Sequence, residues 1–284
     1  MGKLHDQLQR DLEIKGYSPQ TRQAYLTRVC DFVQHFDRPP KELGREEVST
    51  YLQYLLCERK LSQSYLNQTY SGLKFFFETT LGKEWAAFRI PRAKLPKKLP
   101  MVLSVEEVQS LFSVTRNIKH RAVLMTMYSA GLRVREVTYL RVADVDSDRM
   151  QIRVGQGKGR KDRYTLLARK TLTLLRDYCR YERPTEWLFP GQRPSQPLAA
   201  RSVQKLCTRS LKAAGITKAA SAHTLRHSFA THLLESGVDL CHIQHLLGHR
   251  RLETTSIYLH IQRKDLAHIV SPLDLWELAE QPTL

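Results

Sequence analysis

Between Lys83 and Pro100 the chain reads KEWAAFRIPRAKLPKKLP, and this stretch limits what can form on either side of it. Pro91, Pro96 and Pro100, with the residues before them, cannot continue a helix, and no periodic apolar face persists past Phe88. Lys83, Lys94, Lys97, Lys98, Arg89 and Arg92 make the stretch basic. A chain of 284 residues interrupted in this way is expected to fold as two units: a helical one over 1–85, an extended basic linker over 86–100, and a second unit over 101–284.

Four helical patterns fill the first unit. His5 to Lys15 is a short amphipathic one. The next starts at Ser18 with Pro19 at the first helical position, keeps Tyr25, Val29, Phe32, Val33 and Phe36 on one side, and ends at Arg38-Pro39-Pro40. A third runs from about Arg45 to Arg59, and a fourth follows Ser62 with Tyr65, Leu66, Leu73 and Phe76. Four helices with short loops make a small bundle whose outer faces are expected to hold Arg22, Gln23, Arg28, Gln63, Ser64, Asn67, Gln68 and Lys74. Such side chains suit phosphate and base-edge contacts, and they equally suit a solvated face.

The second unit opens with a capping box at Ser104 and Glu107. An apolar helix over Ala122 to Ser129 is broken at Gly131, and Arg133 opens the next, with Glu136 one turn on as its partner. Residues 151–167 alternate as a strand from Ile152, turn near Arg160 to Asp162 and return through Tyr164 to Leu167, with Lys158 between two glycines at the tip. Helices over Lys170 to Glu182 and Ala200 to Ala214 complete the core. The fold class is therefore mainly α, with a small β-hairpin or sheet in the second unit.

The net charge of +17 is spread over both parts: residues 1–100 carry 17 Lys/Arg against 11 Asp/Glu, and residues 101–284 carry 28 against 17. An excess on both sides of a linker suits two units closing on a polyanion as a C-shaped clamp. No Lys/Arg block lies on an apolar amphipathic helix, no run approaches the roughly 18 apolar residues of a membrane span, and the charged start MGKLHDQLQRDLE is unlike a secretory signal. The expectation is a soluble cytoplasmic protein at the nucleoid, with double-stranded DNA as partner and neither a membrane nor a small-molecule substrate. The five cysteines are scattered, never at metal-ligand spacing, and read as reduced thiols.

Potentially catalytic side chains concentrate in Ala222 to His260, AHTLRHSFATHLLESGVDLCHIQHLLGHRRLETTSIYLH. His223 and Arg226 fall one helical turn apart on one side. Asp239 to Leu247 reads as a helix stopped by Gly248, with His249 directly after it. Beyond Thr254-Thr255, a pair suited to capping a helix start, stands Tyr258. Taken singly, such a His is ordinarily a satisfied core residue and such a Tyr ordinary packing. His227 and His232 read as structural. His242, His245 and His249 invite zinc, but no Cys or carboxylate completes a ligand set and no His-Glu-x-x-His occurs, so neither metal nor cofactor is expected.

The ordered series Arg133, Lys158, His223-x-x-Arg226, His249 and Tyr258, set in GLRVREV, GKG, HTLRHSFATHL and LLGH, resembles the tyrosine recombinase (lambda integrase-like) family over nearly the whole chain. Its length, with no added arm-binding domain, is similar to the Xer-like and mobile-element integrase branch. Arg135 and Leu259 depart from residues frequent in the family. The resemblance implies a DNA-gripping helical domain, a catalytic domain, and a tetramer, of one or two kinds of subunit, on paired DNA sites. It also implies a C-terminal segment that docks on a neighbour, and Leu275, Trp276 and Leu278 fit that role as well as they fit packing on their own domain.

The same residues support the chemistry directly. A phenol with pKa near 10 is only about a thousandth ionised at neutral pH, a handicap of roughly 4 kcal/mol. Arg133 and Arg226 can hold the non-bridging oxygens of a scissile phosphate, His249 can add a hydrogen bond, and His223 is placed to take the Tyr258 proton. Lys158 would protonate the departing 5′ oxygen. The product is a 3′-phosphotyrosine link that keeps the energy of the broken bond, so integration, excision or dimer resolution needs neither ATP nor metal. Two other readings use the same side chains: a type IB topoisomerase or hairpin telomere resolvase, and a DNA-binding regulator that no longer cuts.

Overall fold

The computed structural model describes residues 2–85, 99–155, 162–249 and 251–259, and a side-chain cap marks the start of five of the eleven α-helices among them. The chain divides into two compact units, Met1–Lys97 and Lys98–Leu284. Most of the expected linker, the Lys158 tip with its turn, and the C-terminal segment with Leu275, Trp276 and Leu278 lie outside the described residues.

The first unit holds α1 (Gly2–Ile14), α2 (Pro19–Phe36), α3 (Arg45–Cys57) and α4 (Gln63–Phe75). The Ser18 hydroxyl accepts from the backbone N–H of Thr21 ahead of Pro19, and the Ser62 hydroxyl accepts from that of Tyr65. α4 runs on into a single π-helical turn, Phe76–Thr80, which turns Phe76 and Phe77 into the core beside Phe32 and Trp85. The outer-face expectation is only partly met. Gln23, Gln63, Ser64, Gln68 and Lys74 are exposed, whereas Asn67 is buried and the Arg28 guanidinium lies over the Tyr65 ring, 3.8 Å from its centroid. Arg28 of α2 meets Tyr65 of α4 and Asn67 is turned into the bundle, which spacing alone, without the rotation of each helix, could not show.

The second unit begins with α5 (Val105–Val114), its box closed by Ser104 and Glu107 as expected. α6 (Ile118–Ser129) and the one-turn α7 (Val134–Thr138) follow, then an antiparallel sheet in the order β1 (Val145–Asp146), β2 (Gln151–Val154), β3 (Arg163–Leu166). Ile152 pairs with Thr165 and Val154 with Arg163. β2 has the ordinary pattern, with Ile152 and Val154 inward. In β3 the pattern is inverted: Arg163 and Thr165 are buried, while Tyr164 and Leu166 face out. Among the described residues four more helices follow: α8 (Arg169–Glu182), α9 (Ala200–Ala213), α10 (Ala222–Glu235) and α11 (Leu240–Leu247). They pack around Leu111, Leu124, Met127, Val137, Leu175 and Val203. A smaller cluster of Phe229, Leu234, Ile243, Leu247 and Tyr258 joins α10 and α11 to the last described turns. No helix among the described residues is long and apolar enough to cross a membrane.

Candidate active site

Two helix ends build the floor of the site. α6 stops at Gly131, whose φ of +60 suits a residue without a side chain, and α11 stops at Gly248, φ +64. The carbonyls left without helical partners at these ends point at guanidinium groups. Arg226 of α10 donates from Nη1 to the Gly131 carbonyl at 2.6 Å and from Nη2 to that of Leu247 at 2.5 Å. Arg163 of β3 donates from Nε to the Leu246 carbonyl at 2.9 Å, and Thr165 donates to the Ala130 carbonyl. A Cβ at Gly248 would come within 2.8 Å of Arg163 Cδ, so the stop must be glycine for the Arg163 side chain to pass.

One carboxylate organises three guanidiniums. Glu136 accepts from Nη1 and Nη2 of Arg163 at 2.9 Å each, from Arg133 Nη1 at 2.6 Å and from the Arg133 backbone N–H at 2.8 Å, while Arg226 Nη1 lies 3.5 Å away. Burial alone would push the Glu136 carboxyl up. The hydrogen bonds and charge of Arg163, with the Arg133 N–H, outweigh it and hold Glu136 at about 2. Three cations against one anion leave the cluster two positive charges in excess, and an anion from outside would balance it. α7 has a single turn, so this attraction rests on the guanidiniums rather than on a helix dipole. The Arg133 side chain is 28% exposed while that of Arg226 is 5%, so Arg133 is the more accessible arm. Burial and the neighbouring Arg133 lower Arg226 to about 9, which leaves it cationic at neutral pH.

Three imidazoles surround the cluster. Burial, then Arg226 and Arg133, lower His223 and hold His249 at about 3; burial, then His223 and Arg226, hold His227 at about 4. His249 and His227 are therefore neutral at neutral pH. His249 Nδ1 is 2.9 Å from the Thr255 hydroxyl. Thr255 does not cap a helix with its side chain, contrary to expectation: the chain beyond Gly248 forms two single 3-10 turns, Leu252–Thr254 and Ser256–Tyr258, and Thr255 between them turns inward to the imidazole.

Tyr258 is 1% exposed, and burial raises its hydroxyl while Arg226 and Arg133 pull against that rise. The imidazole beside its oxygen is His227, whose Nδ1 lies 3.0 Å away. The expectation places His223 beside Tyr258 and reads His227 as structural; in the fold α10 meets the Tyr258 turn one helical turn beyond His223, so the ring next to the hydroxyl is His227. His223 makes no hydrogen bond among the described residues. Of the six residues expected in the site, Arg133, His223, Arg226, His249 and Tyr258 are brought together here, and Lys158 lies outside the described residues. Sequence reasoning missed Arg163, Thr255 and His227. The first carried a signal, an Arg alternating with Thr on a strand, and the last another, a second His four residues after His223. His232 stands apart, with Nδ1 2.8 Å from the Tyr128 hydroxyl, and His242 and His245 are exposed on α11.

Residues 101–265 match the Phage integrase family, and residues 4–87 match the Phage integrase, N-terminal SAM-like domain. The chain is 42% identical over 276 residues to the integrase/recombinase y4qK of Sinorhizobium fredii, spanning 97% of this chain and 90% of that protein. It is 33% identical over 271 residues to the tyrosine recombinase XerA of Pyrococcus horikoshii, spanning 94% of this chain and 92% of that one. Among solved structures, the XerH site-specific recombinase bound to its difH substrate in a pre-cleavage complex superposes with a TM-score of 0.72. That likeness covers 90% of this chain and 81% of that one at 22% identity, and it speaks for a shared fold. With both units matched and relatives this similar across almost their full length, the chain belongs to the Phage integrase family and is a tyrosine recombinase.

Proposed function

We propose that Tyr258 is the nucleophile of a DNA strand-transfer reaction carried out at the Arg133, Arg226 and His249 cluster. The observation that carries this reading is a buried phenol next to a cationic cluster with two charges in excess, held by Glu136. A scissile phosphate diester on Arg133 and Arg226 would neutralise that excess, and the same guanidiniums would stabilise the added charge of the pentavalent transition state. His223 and His249, as neutral imidazoles, would donate to non-bridging oxygens. Lys158 would protonate the departing 5′ oxygen. The first unit, with the basic linker, would grip double-stranded DNA outside the cut, and four subunits would bring two sites together for exchange. Integration, excision and dimer resolution share this chemistry. A topoisomerase or a regulator without cutting activity is less well supported, because the relatives named above carry recombinase names and Glu136 gathers Arg133, Arg163 and Arg226 into one cluster.

The test mixes wild-type protein and Tyr258→Phe with nicked DNA fragments from the source genome and its mobile elements. A nick beside the cut lets the 5′ piece escape, so a covalent adduct accumulates. Wild type is expected to form adducts and Tyr258→Phe to form none while still shifting DNA in a salt-sensitive way. Salt-sensitive binding by both, with no adduct from either, would favour the regulator.

A further inference from the structure

We propose that His227 is the general base for Tyr258: its Nδ1 takes the phenolic proton as the hydroxyl oxygen attacks phosphorus, and returns it when the strands rejoin. The inference rests on the strand-transfer reading above and adds a catalytic residue to it.

The contact is direct. Nδ1 and the hydroxyl oxygen are 3.0 Å apart, within the reach that proton transfer requires, and the ring centroids are 5.8 Å apart with the planes tilted by 52°. Competing bases are otherwise placed. Nδ1 of His249 is engaged with the Thr255 hydroxyl, and His223 has no bond to Tyr258 among the described residues. The carboxylate of Glu136 is saturated by Arg133 and Arg163.

Protonation states agree with this role. Burial keeps the Tyr258 phenol protonated and the His227 ring neutral, so a proton-bearing oxygen faces a ring that can accept. The charged and titratable groups around His227 are His223 and Arg226 on its own helix, Tyr258 on the last turn, and His249 after α11. Arg226 is the cation among them. A phosphate diester docked on Arg133 and Arg226 cancels the charge that disfavours imidazolium, so the proton affinity of His227 rises when the nucleophile is needed.

The step balances. The Tyr258 O–H bond breaks and an Nδ1–H bond forms, and the oxygen pair makes the new bond to phosphorus. The bond from phosphorus to the 5′ oxygen breaks, and that oxygen leaves with its electron pair and takes a proton from the general acid. Imidazolium, phosphotyrosine and a free 5′ hydroxyl result.

The test measures adduct formation between pH 6 and 9 with the same nicked fragments, using full-length wild type, His227→Ala and His227→Gln. Gln fills the site and can hold the Tyr258 hydroxyl but cannot take a proton, so a packing role would be rescued by it and a base role would not. At pH 7 both variants are expected to be slower by about 10²-fold or more, and their rates to climb by about tenfold per pH unit as hydroxide replaces the base, while wild type stays nearly flat. Added imidazole is expected to restore part of the His227→Ala rate. Wild-type rates in His227→Gln, or a loss in both variants with an unchanged pH profile, would overturn the assignment while leaving the strand-transfer reading intact. No adduct from wild type would overturn both.

Discussion

Arg163 and Glu136, 27 residues apart, meet through two parallel N–H to oxygen bonds of 2.9 Å each, with side chains only 8% and 7% exposed. The pair ties the returning strand of the sheet to the one-turn helix that carries Arg133, and so fixes the height of the cationic cluster against the floor made by α6 and α11. Removing Arg163 leaves a buried carboxylate with one fewer partner and frees the Leu246 carbonyl. Arg163→Ala is expected to cost about 3–5 kcal/mol of stability. Urea denaturation of the full chain checks this, with the transition of the second unit moving and that of the first staying in place.

Gly131 combines a positive φ with close approach to the Phe229 ring, whereas Gly215, with φ +69, has open space where a Cβ would stand. Gly131→Ala is therefore expected to pay both backbone strain and overpacking, about 2–5 kcal/mol, and Gly215→Ala only the strain, about 1–2 kcal/mol. Thermal unfolding of the two variants side by side separates these contributions. Because the Gly131 carbonyl accepts from Arg226, the first variant should also lose adduct formation.

Thr255 is fully buried and its hydroxyl meets His249. Thr255→Val keeps the shape and removes that hydroxyl, at an expected cost of about 1–3 kcal/mol. Adduct formation should fall more than DNA binding, which a gel-shift assay run beside the trapping assay would show.

How much of this could be read from the chain depends on how local the cause is. The starts at Ser18, Ser104 and Asp239 and the stops at Gly131 and Gly248 were legible, because a cap is decided by neighbours within one turn. Arg133, His223, Arg226, His249 and Tyr258, which the family resemblance groups together, do meet in the fold. What Arg163 does was not legible: its inward side follows from the inverted alternation of β3, and its partner is reached only through tertiary packing. The exchange of His227 for His223 beside Tyr258 has the same origin. Spacing puts both imidazoles on one side of α10, and only the seat of the Ser256–Tyr258 turn decides which one it meets. Asn67 is buried and Arg28 lies on the Tyr65 ring, because helix spacing does not fix how each helix is rotated in the bundle.

The neutral imidazoles make stability depend on acid. His227 and His249 have folded values of about 4 and 3, below the ordinary value of 6.5, so the unfolded chain binds more protons than the folded one between these limits. Their contribution is complete above about pH 6.5 and is lost as pH falls through 4 to 3. Glu136, held at about 2, adds a loss in the same direction below about pH 4.5. The urea midpoint of the second unit is expected to fall between pH 7 and pH 5, with a shallower fall in His249→Gln. An unchanged midpoint over that interval would mean that the imidazoles do not stay neutral in the fold.

The most direct test of the central claim is to find where DNA becomes attached. The trapped adduct would be digested with nuclease and trypsin and read by mass spectrometry, with attention to the peptide LETTSIYLHIQR that spans residues 252–263. If Tyr258 is the nucleophile, a nucleotide is found joined through its 3′ phosphate to Tyr258, and none on any other tyrosine. Attachment to another residue, or through a 5′ phosphate, would contradict that claim.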